Sequence, residues 1–405
     1  MDGILLARQA IYNRDLAIHA WELLFRAPRS EKAEFANGDH ATSAVLLNAF
    51  NALPVVDILE GKPAFVNFTR KLLDFTPPVD THQLVVEVLE DVPINSSTIA
   101  ALRRLKELGY TIALDDYVYV EGHHELLALA DIVKIDVLAH PRDKLGELTA
   151  HFRPWQKVLL AEKVETMAVY EQCRELGFEL FQGYFLSRPE LVRGQALKND
   201  QRTVLQLLSL LRNNEISFGD IERVVQTDSI LTYKVLRMVN SAYFGLQRRI
   251  RTIRQALTIL GMDRIRSWIQ LLALSSLEEK PVGLYITAIV RARMGQLLAK
   301  AAATNTVDAD TQFTVGLLST LDAFMGTDLE TILDTVSLSS EIRDALLWRK
   351  GDAGLLLTTT ERYEKGEFDS IDWLALARLR IDELTVRQAY LDSVTWADDL
   401  LQFLR

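Results

Sequence analysis

The sequence is poor in cysteine, in basic charge and in long apolar runs. Its single cysteine, Cys173, excludes an internal disulfide framework and is typical of a reducing cytoplasm. The formal net charge of −10 argues against binding to nucleic-acid polymers, because the phosphate backbone requires a basic surface. No apolar run approaches the roughly 20 residues that span a bilayer, and the first residues lack the basic and apolar stretches of a signal peptide. We therefore expect a cytoplasmic protein with no membrane partner.

Histidine is absent from most of the chain. All seven histidines lie in the first 151 residues, and the remaining 254 residues have none. The sequence pattern also changes near residue 194, where short apolar runs alternating with helical segments give way to apolar residues at helical spacing, as in 285–303. A chain of 405 residues is too long for one ordinary core. We predict an α/β barrel domain over residues 1–195 and an all-helical domain over residues 200–405.

One helix of the first half has clear start and stop signals. Apolar residues at helical spacing predict a helix over 94–108, with Asn95 or Ser96 as its N-cap. Gly109 then marks its end, since glycine commonly follows the last helical residue.

Seven apolar, strand-like runs in the first 190 residues each end in one or two polar side chains. Buried parallel strands are continuous Val, Ile and Leu runs, and a barrel of such strands gathers the residues at their carboxyl ends around one pocket. A single polar strand end is more often a loop cap or an ion-pair partner, but a series of them predicts a functional site. The runs end in Glu22, Asn67, Glu87, Asp115 with Asp116, Lys134, Glu162 and Gln182.

Carboxylate and amide oxygens dominate this series, which contains no histidine or cysteine. The adjacent Asp115 and Asp116 would repel each other strongly in one cavity, and divalent cations relieve such repulsion. Oxygen-only ligands suit hard ions such as Mg²⁺ or Mn²⁺ rather than zinc, and pairs of hard ions are common in phosphodiester cleavage. Lys134 would neutralise excess negative charge and orient a water molecule or a phosphate oxygen. The residues thus predict a metal site with a charged partner.

These residues resemble the EAL family of cyclic di-GMP phosphodiesterases, which are modified TIM-type barrels. Residues 22–26 keep the family's Glu-x-Leu-x-Arg pattern, although Leu23 stands where the family has alanine. Residues 161–165 resemble its Ala-Glu-Gly-Val-Glu motif, with Lys163 in place of the glycine, and Gln182 matches its glutamine after the last strand. The resemblance implies hydrolysis of cyclic di-GMP to linear pGpG with two Mg²⁺ or Mn²⁺ ions.

The resemblance also implies a role for each matched residue. The first metal would be held by Glu22, Asn67, Glu87 and Asp115. Asp115 would bridge to a second metal, whose other ligands are Asp116 and Glu162. The catalytic residues would be Glu162 and Lys134, the latter by orienting water. Substrate binding would fall to Arg26, Glu165 and Gln182, with Arg26 at a phosphate, and Glu90 would brace the loop after the paired aspartates.

The loop after Asp116 departs from the family pattern. The family carries Phe-Gly-Thr-Gly there, whereas residues 117–120 read Tyr-Val-Tyr-Val, and valine lacks the access to positive φ that glycine has. Two functions therefore remain open. The complete ligand series favours a phosphodiesterase, and the altered loop favours a degenerate domain that senses cyclic di-GMP, or serves as a protein-interaction scaffold, without turnover.

The second half resembles the HDOD domain, a helical relative of HD-type metal phosphohydrolases. The resemblance lies in residues 226–245 and continues to Leu260 and Gly261. Where such hydrolases carry a metal-binding His-Asp pair, this chain has Ser319 and Thr320, and no histidine follows His151, so an HD-type metal site cannot form. The resemblance implies a non-catalytic output domain with a protein partner that the sequence does not identify. It leaves homodimer formation open.

Overall fold

The protein is described here by a computed structural model, which covers residues 5–26, 59–77, 79–117, 123–183, 252, 254, 255, 258, 281–303, 307–326, 328–334 and 338–404. The chain divides into two compact units. The first comprises Met1–Arg188 and Arg362–Ile371, and the second comprises Pro189–Glu361 and Asp372–Arg405. None of the helices within these described ranges is long and apolar enough to cross a membrane.

The first unit is built on a closed barrel of eight strands arranged in chain order. The strands are β1 (Leu5–Asn13), β2 (Ile18–Arg26), β3 (Ala64–Phe68), β4 (Leu84–Val88), β5 (Thr111–Leu114), β6 (Ile132–Asp136), β7 (Val158–Glu162) and β8 (Leu180–Gln182). From β2 to β8 each strand is parallel to the next. This architecture confirms the α/β barrel predicted for the first half.

β1 differs from the other strands, because it runs antiparallel to both of its neighbours, β2 and β8. No strand was predicted at this position, and the parallel arrangement predicted for the later strands is confirmed. The expectation that the polar residues end their strands was wrong for four of them, since β2 continues to Arg26, β3 to Phe68, β4 to Val88 and β6 to Asp136. A polar residue within a strand is tolerated there because successive side chains point to opposite faces, so one inward polar group leaves the outer apolar face intact.

Four α-helices lie between the later strands. They are α1 (Ser96–Glu107), α2 (His124–Leu129), α3 (Arg142–Phe152) and α4 (Met167–Leu176). The predicted helix over 94–108 is confirmed as α1, and Asn95 is its N-cap: its side chain accepts hydrogen bonds of 3.0 Å from the amides of Ser97 and Thr98. Gly109 follows with φ +96°, which explains the stop.

The inside of the barrel is filled by one apolar residue from each strand. This level consists of Ile11, Ala20, Phe65, Val85, Ala113, Ile132, Leu160 and Leu180, all of which are buried. Side chains of (β/α) barrels fill the interior in such levels, because inward positions recur at every second residue of a strand. The apolar level is the floor on which the next level of side chains is supported.

The described part of the second unit is helical. Its helices are α5 (Val282–Ala301), α6 (Ala309–Leu318), α7 (Leu321–Met325), α8 (Leu329–Asp334), α9 (Ser340–Trp348), α10 (Gly351–Glu364, whose last residues belong to the first unit), α11 (Trp373–Arg378) and α12 (Glu383–Leu404). The helical segment predicted over 285–303 is confirmed by α5. The HDOD-like segment 226–245 lies outside the described residues.

Ser319 and Thr320, which follow α6, are used in internal hydrogen bonds. Ser319 Oγ accepts from Arg291 Nη1 at 3.1 Å and donates to the carbonyl of Gly316 at 2.6 Å. Thr320 Oγ1 donates to the carbonyl of Leu317 at 3.0 Å. Arg291 also forms an ion pair of 3.5 Å with Glu361. A buried arginine side chain thus satisfies the hydroxyl of Ser319.

Candidate metal centre

A level of polar side chains lies directly above the apolar level of the barrel. Each of these polar residues is two positions from the apolar residue of the same strand. It follows the apolar residue in β2 to β8 and precedes it in the antiparallel β1. The members are Gln9, Glu22, Asn67, Glu87, Asp115, Lys134, Glu162 and Gln182. The two-residue spacing places them on the inner face at one height. The structure therefore brings together seven of the eight residues that the sequence series predicted to converge, all except Asp116.

Lys134 lies at the centre of this level and is fully buried. Its Nζ forms an ion pair with Glu87 Oε1 and lies 2.7 Å from Glu162 Oε1, 3.2 Å from Asp115 Oδ1 and 3.7 Å from Glu22 Oε1. Burying several carboxylates without a countercharge would be strongly unfavourable. The ammonium group of Lys134 supplies that countercharge.

Amide side chains surround Glu22. Asn67 Nδ2 lies 3.5 Å from Glu22 Oε1, at the limit of a hydrogen bond. Gln182 Nε2 donates a hydrogen bond to Glu22 Oε2 and another, of 3.0 Å, to Gln9 Oε1. These two amides orient the Glu22 carboxylate, whose Oε1 also lies 3.7 Å from Lys134 Nζ.

Burial changes the protonation of the site. Burial raises the pKa of Glu87 well above its usual range and outweighs the opposing attraction to Lys134. Burial likewise raises the pKa of Glu162 to about 8, again against the attraction to Lys134. For Lys134 burial acts to lower the pKa, but its carboxylate neighbours raise it well above its usual range. The lysine is therefore charged at neutral pH, and burial favours the protonated form of both glutamates.

The residues of this level fit a hard divalent cation. Oxygen atoms of Glu87, Asp115 and Glu162 all lie within 4.8 Å of one another. Buried Asn67 Oδ1 and Glu87 Oε2 have no hydrogen-bond partner. Unsatisfied buried oxygens are costly, and a metal ion would satisfy them. An oxygen-only set is the ligand chemistry of Mg²⁺ or Mn²⁺.

Asp116 is held apart from this group by a local ion pair. Its Oδ2 lies 3.8 Å from Lys163 Nζ, which in turn lies 2.6 Å from Asp136 Oδ2. Asp136 Oδ1 accepts hydrogen bonds from the amides of Leu138 and Ala139 at 2.8 and 3.2 Å. Asp116 Oδ1 is buried without a hydrogen-bond partner. One oxygen of Asp116 thus faces a lysine and the other remains available as a ligand.

A close backbone approach supports the end of β8. Gly183 has φ +147°, and a Cβ built on it would lie 2.1 Å from the carbonyl oxygen of Val164. The amide of Val164 also donates to the carbonyl of Gln182 at 3.0 Å. Only glycine fits this position, and it fixes Gln182 beside Glu22.

Glu90 lies at the wall of a cavity of about 470 Å³ beside the paired aspartates. Residues 88–92 and 114–117 form most of this wall, and Glu90, Asp115 and Asp116 are among them. The volume is within the range of small-molecule sites. Residues 118–122 of the altered loop lie outside the described part of the chain.

Two predicted substrate-binding residues lie a few positions after the polar level in the chain. Glu165 lies in the connection between β7 and α4, three residues after Glu162. Arg26 is the last residue of β2, four residues beyond Glu22, and its side chain is outside the described part of the chain. Their predicted roles remain predictions.

Sequence reasoning missed Gln9 and Asp136. Gln9 lies in a strand that pairs in register with β2, opposite Glu22, but an antiparallel first strand gives no strand-end signal. Asp136 follows Lys134 by two residues in β6, so the period-2 rule could have placed it on the same inner face.

Two stretches of the chain match known domains. A model of the EAL domain matches residues 33–189, and a model of the HDOD domain matches residues 197–331. The chain is 30% identical over 409 residues to the uncharacterised protein YuxH of Bacillus subtilis, which covers 98% of this chain and 99% of that protein. It is 32% identical over 404 residues to the cyclic di-GMP phosphodiesterase CdgJ of Vibrio cholerae, covering 98% of this chain and 92% of CdgJ. The chain belongs to the EAL–HDOD family.

The EAL match begins after Glu22, whose strand lies outside it, yet Glu22 lies with the other carboxylates of the EAL barrel. Among solved structures, the EAL-domain protein YkuI of Bacillus subtilis, in complex with substrate c-di-GMP and calcium, is 18% identical to the chain. The similarity covers 56% of this chain and 72% of YkuI, with a TM-score of 0.38.

Proposed function

We propose that this protein is a metal-dependent phosphodiesterase that hydrolyses cyclic di-GMP to linear pGpG. The observation that carries the proposal is the convergence of Glu22, Glu87, Asp115 and Glu162 on one buried lysine. The EAL–HDOD relationship, which includes the cyclic di-GMP phosphodiesterase CdgJ at 32% identity, supports the substrate.

Mg²⁺ or Mn²⁺ is the proposed cofactor, with two ions in the active protein. Glu22, Asn67, Glu87 and Asp115 would hold the first ion, and Asp115, Asp116 and Glu162 the second. When bound, such ions supply electrophilic stabilisation of the negative charge that develops on a phosphate during in-line displacement.

The protein's own residues would position the reactants. Lys134 would donate hydrogen bonds from its ammonium group to a water molecule or a phosphate oxygen. Gln182 keeps Glu22 oriented through its amide. Glu162, whose pKa is raised to about 8 by burial, is able to hold or release a proton near neutral pH. Arg26 and Glu165 are proposed to contact the substrate.

Incubation of the full chain with cyclic di-GMP and Mn²⁺ tests this function, with pGpG measured by chromatography. We expect pGpG to form with the wild type, to disappear with EDTA, and to fall by at least about a hundredfold in Glu22→Gln and Glu87→Gln, because each change removes a charge from the metal-binding level. Lys144→Met is a surface control, since the ion pair of Lys144 within the described residues is with the exposed Glu147 at 3.4 Å. If no pGpG forms with Mn²⁺ or with Mg²⁺, the proposal is rejected.

The altered loop after Asp116 supports a second candidate, a cyclic di-GMP sensor without turnover. Calorimetry with cyclic di-GMP in Ca²⁺ or Mn²⁺ separates the two, because binding without pGpG formation favours the sensor. For the helical half we propose a non-catalytic role through a protein partner, supported by the internal use of Ser319 and Thr320. A domain boundary between residues 195 and 200 and homodimer formation remain predictions.

A further inference from the structure

We propose that Lys163 is a built-in countercharge at the second metal position, so that the protein binds one divalent ion tightly and the second weakly. Lys163 replaces the glycine of the EAL motif in residues 161–165. This inference rests on the proposed function, because it concerns the ion that Asp116 and Glu162 would share.

The position of the ammonium group carries the inference. Lys163 Nζ lies 2.6 Å from Asp136 Oδ2 and 3.8 Å from Asp116 Oδ2. Its charge lies between these two carboxylates, of which Asp116 is a predicted ligand, and it follows Glu162, another predicted ligand, directly in the chain. The ammonium group therefore neutralises part of the negative charge that would attract a second ion.

The backbone keeps the lysine in this place. Lys163 has φ +54°, a left-handed conformation that glycine adopts freely and that lysine adopts at a cost. Asp116 has φ +40°, so both ends of the ion pair lie on strained turns. Asp136, which is anchored by two backbone amides, fixes the other side of the ammonium group. These restraints hold the charge near Asp116 although the lysine side chain is 54% exposed.

The first metal position is affected less. Lys163 forms its described ion pairs with Asp116 and Asp136, whereas Glu22 and Glu87 lie around Lys134. A unit charge next to a divalent ion in a water-like dielectric changes affinity by roughly tenfold, and the effect falls with distance. We therefore expect Lys163 to weaken binding of the second ion more than binding of the first.

Titration of the full chain with Mn²⁺ alone, followed by electron paramagnetic resonance of the free ion, tests the inference. In wild type we expect one tight and one weak ion. In Lys163→Met the dissociation constant of the second ion should fall about tenfold, while that of the first changes less than threefold. Lys163→Gly should have the same effect, because it also removes the charge, and Lys144→Met should behave as the wild type.

The outcomes separate the charge from the fold and from the proposed function. An unchanged second affinity in Lys163→Met, or an effect in Lys163→Gly alone, overturns the inference, since the backbone and not the charge would then matter. If the inference is overturned in this way but the wild type still binds one ion and hydrolyses cyclic di-GMP, the proposed function stands. Absence of Mn²⁺ binding in every variant overturns both. Circular dichroism of each variant verifies that it is folded.

Discussion

Lys134 Nζ lies at 3.7 Å or less from oxygens of four carboxylates and is fully buried. The sequence predicted the ligand types and a neutralising role for this lysine, because apolar runs ending in acids are recognisable without a structure. It did not predict that oxygens of four carboxylates lie this close to the lysine ammonium group. Their distances depend on the closure of the barrel, which joins β1 to β8 across a long stretch of chain.

Lys134→Met should destabilise the metal-free protein by about 3 kcal/mol at pH 8, because buried carboxylates lose their countercharge. The loss should be smaller at pH 5.5: the raised pKa values of Glu87 and Glu162 let these groups become neutral there. Urea unfolding monitored by fluorescence measures both values. Lys144→Met, an exposed ion-pair lysine, should change the stability by less than about 0.5 kcal/mol. An equal loss at both pH values would contradict the account.

Metal binding should release protons at pH 7. The pKa of Glu162 is about 8 in the metal-free protein, so this carboxyl is mostly neutral at pH 7 and must ionise to bind a cation. Because its folded pKa is raised, its contribution to stability is present below about pH 4.5, the unfolded value, and is lost as the pH rises through about 8. Metal affinity should rise over the same interval.

Calorimetric Mn²⁺ titrations in two buffers with different ionisation enthalpies count the released protons. We expect Glu162 to release about one proton when its metal site is filled at pH 7, and less at pH 9, where Glu162 is mostly ionised before the metal binds. Identical heats in the two buffers at pH 7 would show that the carboxyl is charged before the metal arrives.

At the scale of the elements, every strand places a polar residue two positions from an apolar one. The sequence predicted the α1 helix and its Asn95 cap, and most of the strands, since these depend on local patterns. It did not predict that β1 is antiparallel, and so it missed Gln9. Strand direction depends on pairing with β2 and β8, which local sequence does not encode.

Gly183→Ala tests the support of β8. The added Cβ would meet the carbonyl of Val164 at 2.1 Å, so the chain must shift and move Gln182 away from Glu22. Gly177→Ala is the matched control, because Gly177 also has positive φ, +101°, with no atom within 4 Å of its Cβ position. We expect Gly183→Ala to lower the free energy of unfolding by about 2 kcal/mol more than the control, measured by urea unfolding. Equal losses would show that φ alone matters.

At the scale of the whole molecule, the two halves differ in ligand chemistry. The barrel holds the carboxylate level, whereas no histidine follows His151 and Ser319 is bonded to Arg291. The sequence predicts no HD-type metal site, because no histidine follows His151. The hydrogen bond between Arg291 and Ser319 was not predicted, because it depends on helix packing between α5 and α6.

The double variant Glu87→Gln, Asp115→Asn should abolish tight Mn²⁺ binding by the full chain. The change removes two carboxylates from the cluster of Glu87, Asp115 and Glu162, and the helical half has no histidine to form an alternative site. Equilibrium dialysis followed by elemental analysis gives the bound metal. A tightly bound ion retained by the folded variant would reveal a second centre elsewhere in the chain.

Anomalous diffraction from crystals soaked with Mn²⁺ and cyclic di-GMP tests the central claim most directly. The account predicts a manganese peak bound by Glu22, Asn67, Glu87 and Asp115, with Lys134 Nζ moved from the carboxylates towards the substrate phosphate or a water molecule. A second, weaker peak is expected between Asp116 and Glu162. Lys134 still bridging all four carboxylates, with no manganese peak in the polar level, would contradict the account.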